Sequence, residues 1–149
     1  MVFFKADIKD LPKVVIPSGY FVLKVTRHNI HKWPDILDNC IKRFYDVLDW
    51  DDMWNKDDGE ERLNQGCVLF VYFKNGDFDN PIGYAWYDGN WMFNVFMHPS
   101  RPKGHTALFT LECCHSLDPS IKTVECRTDD WNIKAQKLYE KVGFTRLSS

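Results

Sequence analysis

Tyr139 is the residue whose setting in this sequence asks most of its neighbours. It stands in the run Asn132-x-x-Ala135-x-x-Leu138-Tyr139-Glu140-Lys141-x-Gly143-Phe144. Ala135, Leu138, Tyr139 and Val142 recur at i, i+3, i+4 and i+7, so a helix over 131–142 sets all four on one buried face. Asp129 and Asp130 supply N-cap chemistry, and Gly143 falls where a helix ends on a left-handed residue. A hydroxyl on a buried stripe must find a polar partner or open onto a cavity. The first outcome gives a core tyrosine; the second gives a proton donor. A second cluster is His98-Pro99-Ser100-Arg101-Pro102-Lys103-Gly104-His105-Thr106-Ala107. A loop with a glycine opening straight into a helix offers unpaired backbone N–H groups and the positive end of the helix dipole, a setting for a pyrophosphate. Arg101 and Lys103 add positive charge there, although a basic turn before a helix is often merely solvated. The third cluster is acidic, with Asp46, Asp49, Asp51, Asp52, Asp57, Asp58, Glu60 and Glu61 interleaved with Trp50 and Trp54. It suits either a cationic amine held partly by cation–π contact or a plain solvated loop.

Other reactive side chains carry less. Cys40, Cys67, Cys113, Cys114 and Cys126 are odd in number and lack C-x-x-C spacing, so neither a disulfide framework nor a zinc site is suggested. Cys113-Cys114-His115 would not face one another on a helix, and the thiols read as small buried apolar groups. His28 and His31 have no evident third ligand and read as surface residues. No metal is expected.

The elements that must position these clusters follow from patterning. With 149 residues, 44% of them hydrophobic and 15% aromatic, the chain is ordered and long enough for one core. A net charge of −2 argues against nucleic acid or an anionic membrane as partner. No apolar run reaches membrane-spanning length, and the first residues lack signal-peptide features, so a cytoplasmic protein is expected. Residues 1–18 read as an N-terminal extension and 19–149 as a single domain. Strands are expected at Tyr20 to Val25, Cys67 to Phe73, Ile82 to Tyr87, Trp91 to Met97 and Ile121 to Arg127, with a short one from Phe144 onward. Asp88-Gly89-Asn90 is a hairpin signal, so the middle three should be antiparallel. Helices are expected along the stripe Trp33, Leu37, Cys40/Ile41, Phe44 and Val47/Leu48, from about His105 to Leu117, and over 131–142. The class is α+β.

The closing run resembles the last helix of the GNAT superfamily of acyl-CoA N-acyltransferases, in which Asn-x-x-Ala-x-x-Leu-Tyr-x-x-x-Gly-Phe recurs. Arg101-x-x-Gly104-x-Thr106 is similar to that family's Arg/Gln-x-x-Gly-x-Gly/Ala loop. Thr106 stands in place of the second small residue, and Pro102 removes one N–H donor. The resemblance covers roughly Gly19 to the C-terminus. It implies a mixed sheet of about six strands flanked by helices, with a shortened C-terminus. Relatives continue through a last strand that closes the sheet, so the edge here is expected to be open, covered by residues 1–18 or paired in a homodimer. The resemblance implies acetyl-CoA as acyl donor, held by Met97, Arg101, Lys103, Gly104, His105, Thr106 and Asn132. It implies Val95 N–H as oxyanion donor and Tyr139 as general acid toward the thiolate. The strand Trp91 to Met97 has no carboxylate at the family's base position, about Trp91; Glu125 or an acidic-segment residue acting through water is the substitute. The acceptor implied is an amine, and the acidic segment suits a polyamine, an aminoglycoside or a protein lysine or N-terminus. Two alternatives belong to other classes. A GNAT-like fold kept as a non-catalytic binding module is one; a nucleic-acid-binding domain has only the Arg101/Lys103 loop behind it.

Overall fold

The computed structural model describes residues 1–147. Its centre is a seven-stranded sheet with helices on both faces. The strands are β1 (Val2–Asp7), β2 (Tyr20–Val25), β3 (Val68–Lys74), β4 (Gly83–Asp88), β5 (Trp91–Met97), β6 (Thr123–Thr128) and β7 (Thr145–Arg146), in the order β2-β3-β4-β5-β6-β1-β7. The helices are α1 (Ile36–Phe44), α2 (Lys56–Asn64), α3 (His105–His115) and α4 (Ile133–Val142). β3 explains the layering: Phe70 and Tyr72 point into one core, Leu69, Val71 and Phe73 into the other, and all five are buried. Side chains alternate across a strand, so a run buried throughout needs cover on both sides. Helices α3 and α4 pack on the first face, α1 and α2 on the second.

Residues 1–18, expected to lie outside the domain, are part of it. β1 runs antiparallel to β6 over six paired positions, from Val2 opposite Thr128 to Asp7 opposite Thr123, and β7 pairs with its other side. Phe4 is wholly buried, and Val14 and Ile16 pack on the same core. The gap for which a second subunit was one expected cover is thus filled from within the chain, and the sheet has seven strands rather than six.

The acidic segment also has more structure than its composition suggests. Asn55 and Asp58 form a capping box, with Asp58 N–H donating to Asn55 Oδ1 at 2.9 Å and Asn55 N–H donating to Asp58 Oδ2 at 3.3 Å. This satisfies two otherwise orphaned amides and starts α2. Gly59 sits inside α2 because Trp54 lies against it, within 2.7 Å of where a Cβ would be. The expected helix through Leu48 is shorter, and no described helix is long and apolar enough to cross a membrane.

Candidate functional site

β5 and β6 are the parallel pair in this sheet, joined through α3, and they touch at one end only. Trp91 is opposite Glu125, and Glu125 N–H donates to Asn90 O at 2.9 Å. Beyond that bridge no pairing is found among the described residues, and a bulge explains why. Tyr87 pairs with Met92 but Trp86 with Asn94, so Phe93 is an extra residue that bends β5. Val95 and Met97 lie on the diverging half, with their side chains against the α3/α4 core. A strand edge left free beside a gap can pair with an extended ligand.

The loop after β5 is held in shape by its own side chains. Gly104 has φ of +84°, and a Cβ there would meet nothing within 4 Å. The glycine is needed for backbone handedness, and its outer side faces open space. Arg101 folds back over the first turn of α3, its Nε donating to Thr106 Oγ1 at 3.0 Å. That leaves the Thr106 hydroxyl hydrogen free, beside the first-turn amides of Thr106 and Ala107 and the guanidinium. Lys103 is exposed. His105 is different: its Nδ1 is 2.7 Å from Tyr72 Oη and its ring stands edge-on to Tyr20. Its side chain braces the helix against the sheet, and its N–H donates to Pro102 O. Burial pushes the Tyr72 hydroxyl up to about 12, so it stays protonated beside that ring nitrogen.

Sequence reasoning missed the residues that fix this loop from outside. Arg43 on α1 reaches across, donating from Nε to Pro81 O at 3.1 Å and from Nη2 to Ser100 Oγ at 3.1 Å. His98 Nδ1 accepts from Ser100 N–H at 3.1 Å. Burial and the Arg43 charge lower the His98 proton affinity, in keeping with a neutral ring. Nothing in the local pattern of α1 marks Arg43, because its partners lie 38 and 57 residues away.

Tyr139 lies on the α3/α4 face, 3% exposed, its ring packed against Phe4 and Phe144. Burial, and then Cys126 and Cys114 beside it, push its hydroxyl well above the ordinary tyrosine range. That hydroxyl has no hydrogen-bond partner among the described residues. Trp86 Nε1 is the fully enclosed side-chain polar atom found in that condition among the described residues. Asn132, rather than Asp129 or Asp130, caps α4, accepting from Ala135 N–H at 3.1 Å. Its amide nitrogen remains available.

On the opposite face the parted strands open into two adjoining cavities. The larger, about 360 Å³, lies between Trp91, Phe93, Asn94 and Phe96 of β5, Arg127 and Thr128 of β6, and Asp49, Asp51 and Asp52 of the acidic segment. The inner one, about 150 Å³, is bounded by Asp51, Asp52, Arg62, Trp86, Phe93 and Asn94 among others. The acidic segment therefore reaches the site through three of its carboxylates. Burial, then Asp49, Asp51 and Asp129, raise the Asp52 carboxyl above its usual range. Of the two expected aromatic partners one is present. Trp50 is 85% exposed and lines neither cavity, whereas Trp54 is buried in the wall of the inner one, with its Nε1 donating to Tyr84 Oη at 3.0 Å. Glu125, the other candidate base, sits at the closed end of the parted strands with Oε2 3.4 Å from Asn90 Nδ2, and it lines neither cavity. A separate cavity of about 570 Å³ lies beyond the opposite end of β6 and holds none of these groups.

No protein-family model matches the sequence, and no curated protein matches it either. Solved structures do match in three dimensions. A Drosophila protein superposes with a TM-score of 0.65 over 98% of this chain and 47% of its own, at 8% identity. A tandem GNAT protein from the clavulanic acid biosynthesis pathway gives 0.59 over 97% and 50%, at 10% identity. An aminoglycoside acetyltransferase from an uncultured soil metagenomic sample gives 0.61 over 87% and 90%, at 12% identity. The chain spans about half the length of the first two. The order of strands, the parted parallel pair and these superpositions together give the chain the fold of the GCN5-related N-acetyltransferases.

Proposed function

We propose that this chain is an N-acetyltransferase that moves an acetyl group from acetyl-CoA to an amine. One observation carries the reading: β5 and β6 part beyond the Trp91–Glu125 bridge, with the α3 N-terminus on one side and a carboxylate-lined cleft on the other. The residues present suit the donor. Arg101, the Thr106 hydroxyl, the first-turn amides and the open space at Gly104 suit a pyrophosphate, and Lys103 adds charge. The free edge at Val95 and Met97 suits an extended amide-bearing arm, and Asn132 is near enough to the cleft to contact it. Bound there, the coenzyme supplies an acyl group already activated as a thioester.

The chain's own groups would do the rest. Val95 N–H is the oxyanion donor in this reading. Tyr139, kept protonated by burial, carries a hydroxyl hydrogen to donate toward the departing sulfur. Asp52 is the proton acceptor for the incoming amine, in place of Glu125. Holding both reactants across one gap lets attack proceed directly, with no covalent enzyme intermediate. The aminoglycoside acetyltransferase among the similar structures fits an amine acceptor. Calorimetry with acetyl-CoA, followed by free-thiol release with a panel of amines, tests the proposal; absence of donor binding would remove it. Binding without thiol release would favour a non-catalytic module, a reading to which the deep burial of Tyr139 lends weight.

A further inference from the structure

Arg62 is left unexplained by acyl transfer to a simple cation. It projects from α2, half-buried, with its guanidinium carbon 5.3 Å from the Trp86 ring centre and 5.6 Å from that of Phe93. Stacking on rings occupies the faces of a guanidinium and leaves its N–H edge to bond something else. Among the described residues that edge has no ion-pair or hydrogen-bond partner, although Asp51 and Asp52 line the same inner cavity. Trp86, 2% exposed and in the same wall, has an Nε1–H with no acceptor. An unpaired guanidinium edge in a cavity suits an anion, whereas the Trp86 Nε1–H, fully enclosed, is out of a ligand's reach. The carboxylates shared by the two cavities stand between that position and the parted strands.

We propose that the acceptor is an amine bearing its own carboxylate, an α-amino acid, seated with the carboxylate on Arg62 and the ammonium at Asp52. The proposal rests on the acetyltransferase reading and narrows it. A polyamine fits worse, because its second cation would meet a guanidinium that already lacks a counter-charge. In the transfer the amine nitrogen bonds to the acyl carbon and the carbon–sulfur bond breaks. One ammonium proton passes to Asp52 before attack and then to water; the second N–H proton reaches the sulfur by way of Tyr139. The raised proton affinity of Asp52 suits that role.

The test uses matched pairs: glycine against methylamine, L-lysine against cadaverine, and L-phenylalanine against phenethylamine. Thiol release is measured with acetyl-CoA, and binding of the same compounds is measured by calorimetry without it. The amino acid of at least one pair should be preferred by roughly tenfold to a hundredfold in kcat/KM, the range set by a hydrogen-bonded charge. Arg62→Met should abolish that preference with the KM for acetyl-CoA unchanged, and Arg62→Lys, which keeps stem and charge, should lose only part of it. Arg127→Met should leave it intact. If no amine releases thiol while the wild type binds an amino acid and Arg62→Met does not, the carboxylate site stands and the acetyltransferase reading falls. Equal or better reaction of the decarboxylated amines, a preference that survives Arg62→Met or disappears in Arg127→Met, or no binding of either class overturns the proposal.

Discussion

The two faces of the parted strands are built on opposite plans. On the α3/α4 side the chemistry sits in two short contiguous runs, the loop from Arg101 to Thr106 and the helix from Asn132 to Gly143, each complete within about a dozen residues. On the α1/α2 side Asp52, Arg62, Trp86 and Phe93 come from four separate elements and meet only once the sheet has formed. A donor-type site made of helix ends and a strand edge uses backbone, which any sequence of the right fold supplies. A site that selects a small acceptor uses side chains, and those need not be near one another in sequence.

Breaking the first face should have the largest effect. Tyr139→Phe is expected to lower kcat by about a hundredfold or more, the range of general acid catalysis, while acetyl-CoA affinity measured by calorimetry stays the same. Survival of full activity would take the acid role from Tyr139. Breaking the second face at Asp52 should separate activity from stability. Wild-type activity should rise with pH through the elevated Asp52 pKa, and Asp52→Asn should remove that limb of the profile along with most of the turnover. The same substitution should raise the melting temperature at neutral pH. A carboxyl whose folded pKa lies above its unfolded value favours folding below the unfolded pKa and loses that contribution as pH rises through the folded one. The gain over wild type should therefore fade on acidification; a lower melting temperature at neutral pH would contradict it.

Smaller changes sharpen the contrast. Gly104→Ala places a side chain at φ +84° and should cost about 1 kcal/mol of stability in thermal or denaturant unfolding. It should weaken acetyl-CoA binding with no change in acceptor KM. Trp86→Phe removes an unpaired buried donor and some ring volume, two effects of opposite sign, so stability should move by less than about 1 kcal/mol. Amino-acid binding should nevertheless weaken, because the ring on which Arg62 stacks becomes smaller, and calorimetry would register it.

What could be read from the sequence follows the same division. β5 runs from Trp91 to Met97 as its alternation and preceding turn imply, and Gly143 ends α4 in the left-handed conformation at φ +115°. These are local decisions, made by residues next to the element they shape. The bulge at Phe93 was not legible, because it is defined only against the partner strand. α2 was hidden in an acidic, glycine-containing stretch, although the capping pair Asn55 and Asp58 was the signal that could have revealed it. Asn132 took the cap from Asp129 and Asp130 because the helix begins later than periodicity alone requires. Arg62 carried no mark at all: one cation among the charges of α2 becomes distinctive only with Trp86 and Phe93 beneath it.

The place of β1 in the sheet bears on how the chain acquires its shape. Residues 2–7 pair with residues 123–128, so a strand made first has no partner until more than a hundred further residues exist. Contacts of such sequence separation close late and slow the search for the native arrangement. Until then the groove between β6 and β7 is vacant, and Phe4 and Cys126 are without their cover. The hydrophobic bed of Tyr139 is therefore among the last parts to assemble: the face with the most compact sequence signature waits on strand pairings that span well over a hundred residues.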